Sequence, residues 1–143
     1  MTEIVAVAAD HGGYELKTVL LPELRALGFG ALDLGTNSLE SVDYPDFAMR
    51  VVQAIEAGKA RFGLLICGTG IGMSIAANRH RSIRAALCHD VTTARLARQH
   101  NDANVMTLGG RMIGSETAKD CLRTFLSTSF EGGRHVRRIA KLS

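Results

Sequence analysis

The chain has 143 residues, 46% of them apolar and 22% charged, with three cysteines, two prolines and a formal charge of +3. That length suits one domain whose core needs no disulfide or metal staple, and the balance excludes a disordered tail, a coiled coil and a general nucleic-acid surface. The longest apolar runs, IVAVAA and FGLLIC, are strand-sized, so no membrane span is expected; the first residues lack the basic-then-apolar order of a secretory leader, and a cytoplasmic address follows.

In chain order, residues 3–9 (EIVAVAA) are a predicted strand and residues 13–28 a helix closed by Gly28. Pro22 is expected to kink or break that helix, because it lacks a backbone donor and crowds the preceding turn. Residues 30–34 are a second strand, 45–58 a helix beginning on Pro45 and ending on Gly58, and 62–67 (FGLLIC) a third strand. A helix is expected from within the following glycine loop to about Arg79. Then come a strand over 83–88, a helix over 90–100 capped by Asp90, a strand over 104–109 and a last core helix over 115–127. Strand and helix repeated this way require right-handed crossovers and a parallel sheet. The fold class is α/β, a three-layer αβα sandwich with a Rossmann-like parallel sheet of about five strands, and residues 1–143 are one domain.

Cys67, Cys88 and Cys121 show no CxxC pair and no histidine spacing suited to zinc, so free thiols and no metal are expected. Arg134, Arg137, Arg138 and Lys141 place four positive charges in the last ten residues with no acid among them. Without those four the balance turns negative. The basicity is local, as an anion site or a docking segment requires.

In a sheet of this class ligands bind beyond the carboxyl ends of the strands. The first strand delivers Asp10 and His11 there, the third Cys67 with GTGIG, and the fifth GGRM with Arg111. Inward-pointing amides of the glycine loop, with the amino end of the next helix, suit an anion or a developing oxyanion. A helix amino end and converging N–H groups also favour the thiolate of a cysteine, and Cys67 has that setting. The spacing is G-x-G-x-G, with Met73 where a dinucleotide fingerprint needs glycine, and no G-K-[ST] follows, which excludes a Walker loop. Cys88 ends a strand with no glycine loop after it and Cys121 lies beside Leu122, so both are read as packing residues. His89 is assigned a capping or solvent role rather than substrate contact, and His80 a solvated turn.

RQHND (98–102) ends a helix that starts at the crevice, so His100 and Asn101 should fall at the opposite end of their own subunit. The segment GGRHVRR (132–138) also starts from that side. A two-fold dimer would resolve this, with one subunit's lower edge completing the other's crevice. Arg134 and Arg138, four apart, face the same way on a helix and form a fork suited to phosphate. Arg137 is a substitute if the register differs, and His135 is expected to point elsewhere. The rival reading from another class is a non-catalytic nucleotide-binding module, which shares such sheets and loops.

The motifs ADHGG (9–13), DYPDFA (43–48), ICGTGIGMSIAAN (66–78), RQHNDANV (98–105) and EGGRHVRR (131–138), in this order across essentially the whole chain, resemble the type B ribose-5-phosphate isomerases, grouped with allose- and galactose-6-phosphate isomerases. The resemblance implies a homodimer with shared active sites, sometimes paired into a tetramer, no metal and no cofactor, and interconversion of an aldose phosphate with its ketose. Residues 128–143 would pack on the partner subunit. It implies Cys67 as the base, with Thr69 and the loop from Gly68 through Gly70 to Gly72 holding the enediolate oxygen. His100 of the partner subunit would open the sugar ring, with Asp10 as the second candidate for that step. His11, Arg111 and the partner's Arg134 and Arg138 would bind phosphate, while Tyr44 and Asn101 position hydroxyls. One branch of the family uses a glutamate base where this chain has Met73, which cannot take a proton. Tetrose, allose and galactose phosphates stay open as substrates beside ribose 5-phosphate.

Overall fold

The computed structural model describes residues 2–143. Five parallel strands lie in the order β2-β1-β3-β5-β4, with β1 at Ile4–Ala9, β2 at Gly30–Asp33, β3 at Phe62–Cys67, β4 at Ala85–Leu87 and β5 at Val105–Gly109. Between and after them run α1 (Tyr14–Ala26), α2 (Tyr44–Glu56), α3 (Ile71–Ala77), α4 (Val91–Asn101), α5 (Ser115–Ser127) and α6 (Arg134–Ala140). This is the α/β sandwich that the alternating pattern predicts. No helix among the described residues is long and apolar enough to cross a membrane.

Side-chain alternation along the central strand divides the core. Phe62, Leu64 and Ile66 of β3 face a cluster with Leu16, Leu20 and Leu24 of α1, Ala94 of α4 and Phe125 of α5. Leu65 and Cys67 face the other side, with Val51 of α2 and Met73 and Ala77 of α3. The helices after β1 and β5 thus cover one face and the helix after β3 covers the other. At both borders of β3 the neighbouring strand-end loops leave toward opposite faces, so these borders are topological switch points where the loops part and leave a crevice. The register seats Cys67 beside Gly109 and Ile66 beside Ala9, so the three loops emerge side by side.

Two local expectations change, and one buried charge is new. Pro22 does not break α1, which continues to Ala26, because Leu16 and Leu20 before it and Leu24 after it are all buried against the sheet. Packing on both sides of the proline outweighs its local cost, about 3 kcal/mol in an isolated helix interior. α3 has only seven residues and stops at Ala77, where Asn78 turns to bridge Ala85 with both ends of its amide. Lys17, an ordinary surface residue by type, is 1% exposed and pairs at 2.6 Å with Asp33 at the end of β2.

Candidate active site

The carboxyl ends of β1, β3 and β5 meet in close backbone contact. Gly110 donates to the Cys67 carbonyl at 2.8 Å and Arg111 to the Gly68 carbonyl at 3.0 Å. A Cβ on Gly110 would stand 2.5 Å from the Gly12 carbonyl oxygen, so only glycine permits this approach. Asp10 is buried, its Oδ1 accepting from the amides of Gly12 (2.9 Å) and Gly13 (3.2 Å). That carboxylate holds its own loop in shape and keeps Oδ2 for any other role.

Cys67 is 5% exposed, and its Sγ accepts a hydrogen bond from the Gly70 amide at 3.1 Å. Gly70 reaches this position with φ at +80°, the left-handed region, in a slot bounded by Leu87 and the Leu108 carbonyl. The Thr69 hydroxyl accepts from Ile71 at 3.2 Å. The amides of Gly68 and Thr69 have no acceptor among the described residues and remain available to an oxyanion. Because α3 is so short, the sulfur meets loop amides rather than a long helix dipole.

Polar groups surround this loop. His11 Nδ1 accepts from the Val42 amide at 3.2 Å, so the neutral ring carries its proton on Nε2 as a donor. The Arg111 side chain passes over Gly68, and no carboxylate lies within 4.0 Å of its guanidinium among the described residues. Tyr44, the first residue of α2, lays its ring against Gly72, where a Cβ would stand 2.6 Å from its carbons. One chain therefore brings together Asp10, His11, Tyr44, Cys67, Gly68, Thr69, Gly70, Gly72 and Arg111.

His100, Asn101, Arg134 and Arg138 are elsewhere. α4 starts at Asp90, whose carboxylate caps it through the Thr93 amide at 2.7 Å, and runs to the amino edge of the sheet. There the Asn101 carbonyl accepts from Arg84 at the head of β4. His100, Asn101, Arg138, Ile139 and Leu142 line a cavity of about 300 Å³ at this edge. The six residues of β3 separate the two groups by roughly 17–20 Å at ~3.3 Å rise per residue.

His135 is the residue that motif reading passed over. It does point away from the arginines, but toward His100. α6 turns it inward at 5% exposure while Arg134, Arg137 and Arg138 face solvent, and its ring stacks on His100 with centroids 4.5 Å apart and planes 17° from parallel. Burial, then Arg134 and His100, hold the His135 pKa below the usual histidine range. Glu131 Oε1 lies 3.6 Å from His100 Nε2 and 3.9 Å from His135 Nε2. The ligand atoms of these three residues lie within 4.8 Å of one another. Stacked rings aim their lone pairs side by side rather than at one point, and zinc needs nitrogens at about 2.0 Å. Three neighbouring arginines repel a dication as well, so the geometry and field disfavour a metal here.

The remaining candidates separate by environment. Burial pushes the Cys88 thiol up to about 12 and the Cys121 thiol up to about 11, as packing thiols require. His89 caps nothing: Asp90 does that, and His89 Nε2 is buried without a partner among the described residues. His80 sits in the turn before β4, its carbonyl accepting from Ile83 at 3.0 Å.

The comparisons agree along the whole chain. The sequence profile of the ribose/galactose isomerase family matches residues 5–142. A ribose 5-phosphate isomerase structure from Thermotoga maritima is 55% identical, with a TM-score of 0.97 over 99% of this chain and 98% of that one. The type B ribose 5-phosphate isomerase of Trypanosoma brucei is 46% identical, with a TM-score of 0.96 over 99% and 97%. Ribose-5-phosphate isomerase B of Escherichia coli is 42% identical over 139 residues, 97% of this chain and 93% of that protein. The chain belongs to the ribose/galactose isomerase family and is an isomerase.

Proposed function

We propose that the protein interconverts ribose 5-phosphate and ribulose 5-phosphate through an enediolate, in a homodimer whose active sites are shared. One observation carries the reading: Cys67, two free loop amides and the donors of His11 and Arg111 converge at the double switch point, while His100 and the arginine fork lie a strand's length away in the same chain. A site using both groups needs a second copy turned head to tail. The relatives named ribose 5-phosphate isomerases support the substrate.

The chemistry needs no redox partner. His100 of the partner subunit donates a proton to the ring oxygen as the anomeric hydroxyl loses one, with Asp10 Oδ2 as the acceptor, and the sugar opens to the free aldehyde. The Cys67 thiolate removes the proton from C2, the C2–H electron pair forms the C1–C2 double bond, and the carbonyl pair moves onto O1. The amides of Gly68 and Thr69 stabilise that oxyanion. The hydroxyl proton passes from O2 to O1, the O2 lone pair re-forms a carbonyl at C2, and the C1–C2 double-bond pair takes the thiol proton at C1, which gives the ketose and returns the thiolate. His11, Arg111 and the partner's Arg134 and Arg138 hold the phosphate, and Tyr44 and Asn101 orient hydroxyls.

A coupled assay with ribose 5-phosphate tests the proposal. Cys67→Ala should lose turnover by about a thousandfold while still binding phosphorylated ligands. Near-native turnover in that variant would remove the thiol base from the mechanism. Comparing kcat/KM across tetrose, pentose and hexose phosphates settles the substrate: a clear preference for allose or galactose phosphate would replace ribose 5-phosphate in this reading.

A further inference from the structure

We infer that Glu131 and His135 are positioning residues for His100, the buried imidazole as the platform under its ring and the carboxylate as the charge facing its Nε2. This rests on the reading of His100 as the group that opens the sugar ring.

The sequence builds the arrangement locally. Glu131 is tied to the last turn of α4 by its amide, which donates to the Gln99 carbonyl at 3.0 Å, one residue before His100. Gly132 and Gly133 then turn the chain with φ of +70° and +58°, and α6 begins at Arg134. One residue into a helix is about 100° around its axis, so His135 faces α4 when Arg134 faces outward.

The contacts match what a proton-transferring ring requires. The His100 side chain is 37% exposed, and without a neighbour it would sample several rotamers at the end of its helix. A parallel ring at 4.5 Å removes that freedom. Two protonated imidazoles would repel in such a stack, and burial and the adjoining Arg134 both disfavour the His135 cation. Glu131 stands 3.6 and 3.9 Å from the two Nε2 atoms, beyond hydrogen-bond length, so it supplies charge without locking either ring. The Nε2 of His135, buried without a hydrogen-bond partner among the described residues and 3.9 Å from this carboxylate, is hard to explain as packing alone.

The experiment compares wild type, His135→Phe, His135→Ala and Glu131→Gln in two measurements: turnover of ribose 5-phosphate, and inhibition by 4-phosphoerythronate, an acyclic anion that needs no ring opening. His135→Ala should lower kcat by about 10- to 100-fold, with part of the loss restored in His135→Phe, which keeps a flat ring. Glu131 is exposed, so Glu131→Gln tests the carboxylate without risk to the fold, and should lower kcat several-fold. Inhibitor affinity should stay within about twofold throughout, since only the ring-opening step is affected. Two results overturn the inference: kcat within about twofold of wild type in both His135→Ala and Glu131→Gln, or a parallel loss of inhibitor affinity that marks a merely structural role. A wild-type protein that turns over no aldose phosphate would instead defeat the functional reading, and the inference with it.

Discussion

The Gly70 amide points at the Cys67 sulfur from 3.1 Å, and it does so because Gly70 holds φ at +80°. An alanine there would be strained in its backbone, and its Cβ would stand 2.6 Å from Leu87 Cδ1 and 2.8 Å from the Leu108 carbonyl carbon. Gly70→Ala should cost about 1–3 kcal/mol of stability and lower turnover by at least about 100-fold. Urea unfolding and the coupled assay check the two parts; a stable, fully active variant would mean that the sulfur does not depend on this loop shape.

Thiol reactivity offers a test without mutation. Cys67 keeps 5% of its surface exposed, whereas Cys88 and Cys121 keep none and are held protonated by burial. Iodoacetamide should modify Cys67 alone in the native protein, and ribose 5-phosphate should protect it. Peptide mapping that found Cys88 or Cys121 modified first would contradict this assignment.

The proposed sharing of sites makes a quantitative prediction for mixed dimers. Cys67→Ala and His100→Ala chains, each inactive alone, form one intact site per heterodimer. Complete exchange of equal amounts should restore about a quarter of wild-type activity, because half the dimers are mixed and each has one working site of two. No recovery in verified heterodimers would place both residues in one chain's site or neither.

Lys17 and Asp33 test what a buried charge costs. Asp33→Ala leaves the Lys17 ammonium, 1% exposed, with Asn37 Oδ1 at 3.4 Å and the Tyr14 ring at 5.7 Å among the described residues. It should destabilise the protein by about 3 kcal/mol, whereas Lys17→Met, of similar length and without charge, should cost much less. Equal losses in urea midpoints would show that packing, not charge, sets the penalty.

The direction of the His135 shift makes stability depend on pH. Its folded pKa lies below the ordinary 6.5, so the unfolded chain binds a proton that the folded chain refuses. Its contribution is complete above that ordinary value and is lost as pH falls through it. The wild-type unfolding midpoint should decline more steeply than that of His135→Phe as pH falls below the ordinary histidine value. Parallel declines would assign the acid sensitivity to other groups.

Much of the strand-end chemistry was legible in residue order, since Cys67 and its glycines, Asp10–His11 and Arg111 each follow a strand whose apolar run is plain. The displacement of His100 was legible too, because a helix starting at the crevice must end away from it. The His135 contact was not, because an expectation that it turns away from Arg134 and Arg138 carries no mark of what its helix face meets. Nor was Lys17, whose burial depends on where the end of β2 sets Asp33.

The sequence by itself determined the element order, the parallel sheet and the loops that carry reactive groups, since apolar periodicity and turn residues act over a few positions. Only the tertiary structure decided that Gly70 meets the sulfur, that α1 survives Pro22, and that His135 lies under His100. Those outcomes turn on helix rotation and on contacts between distant segments, which packing selects and local propensity cannot.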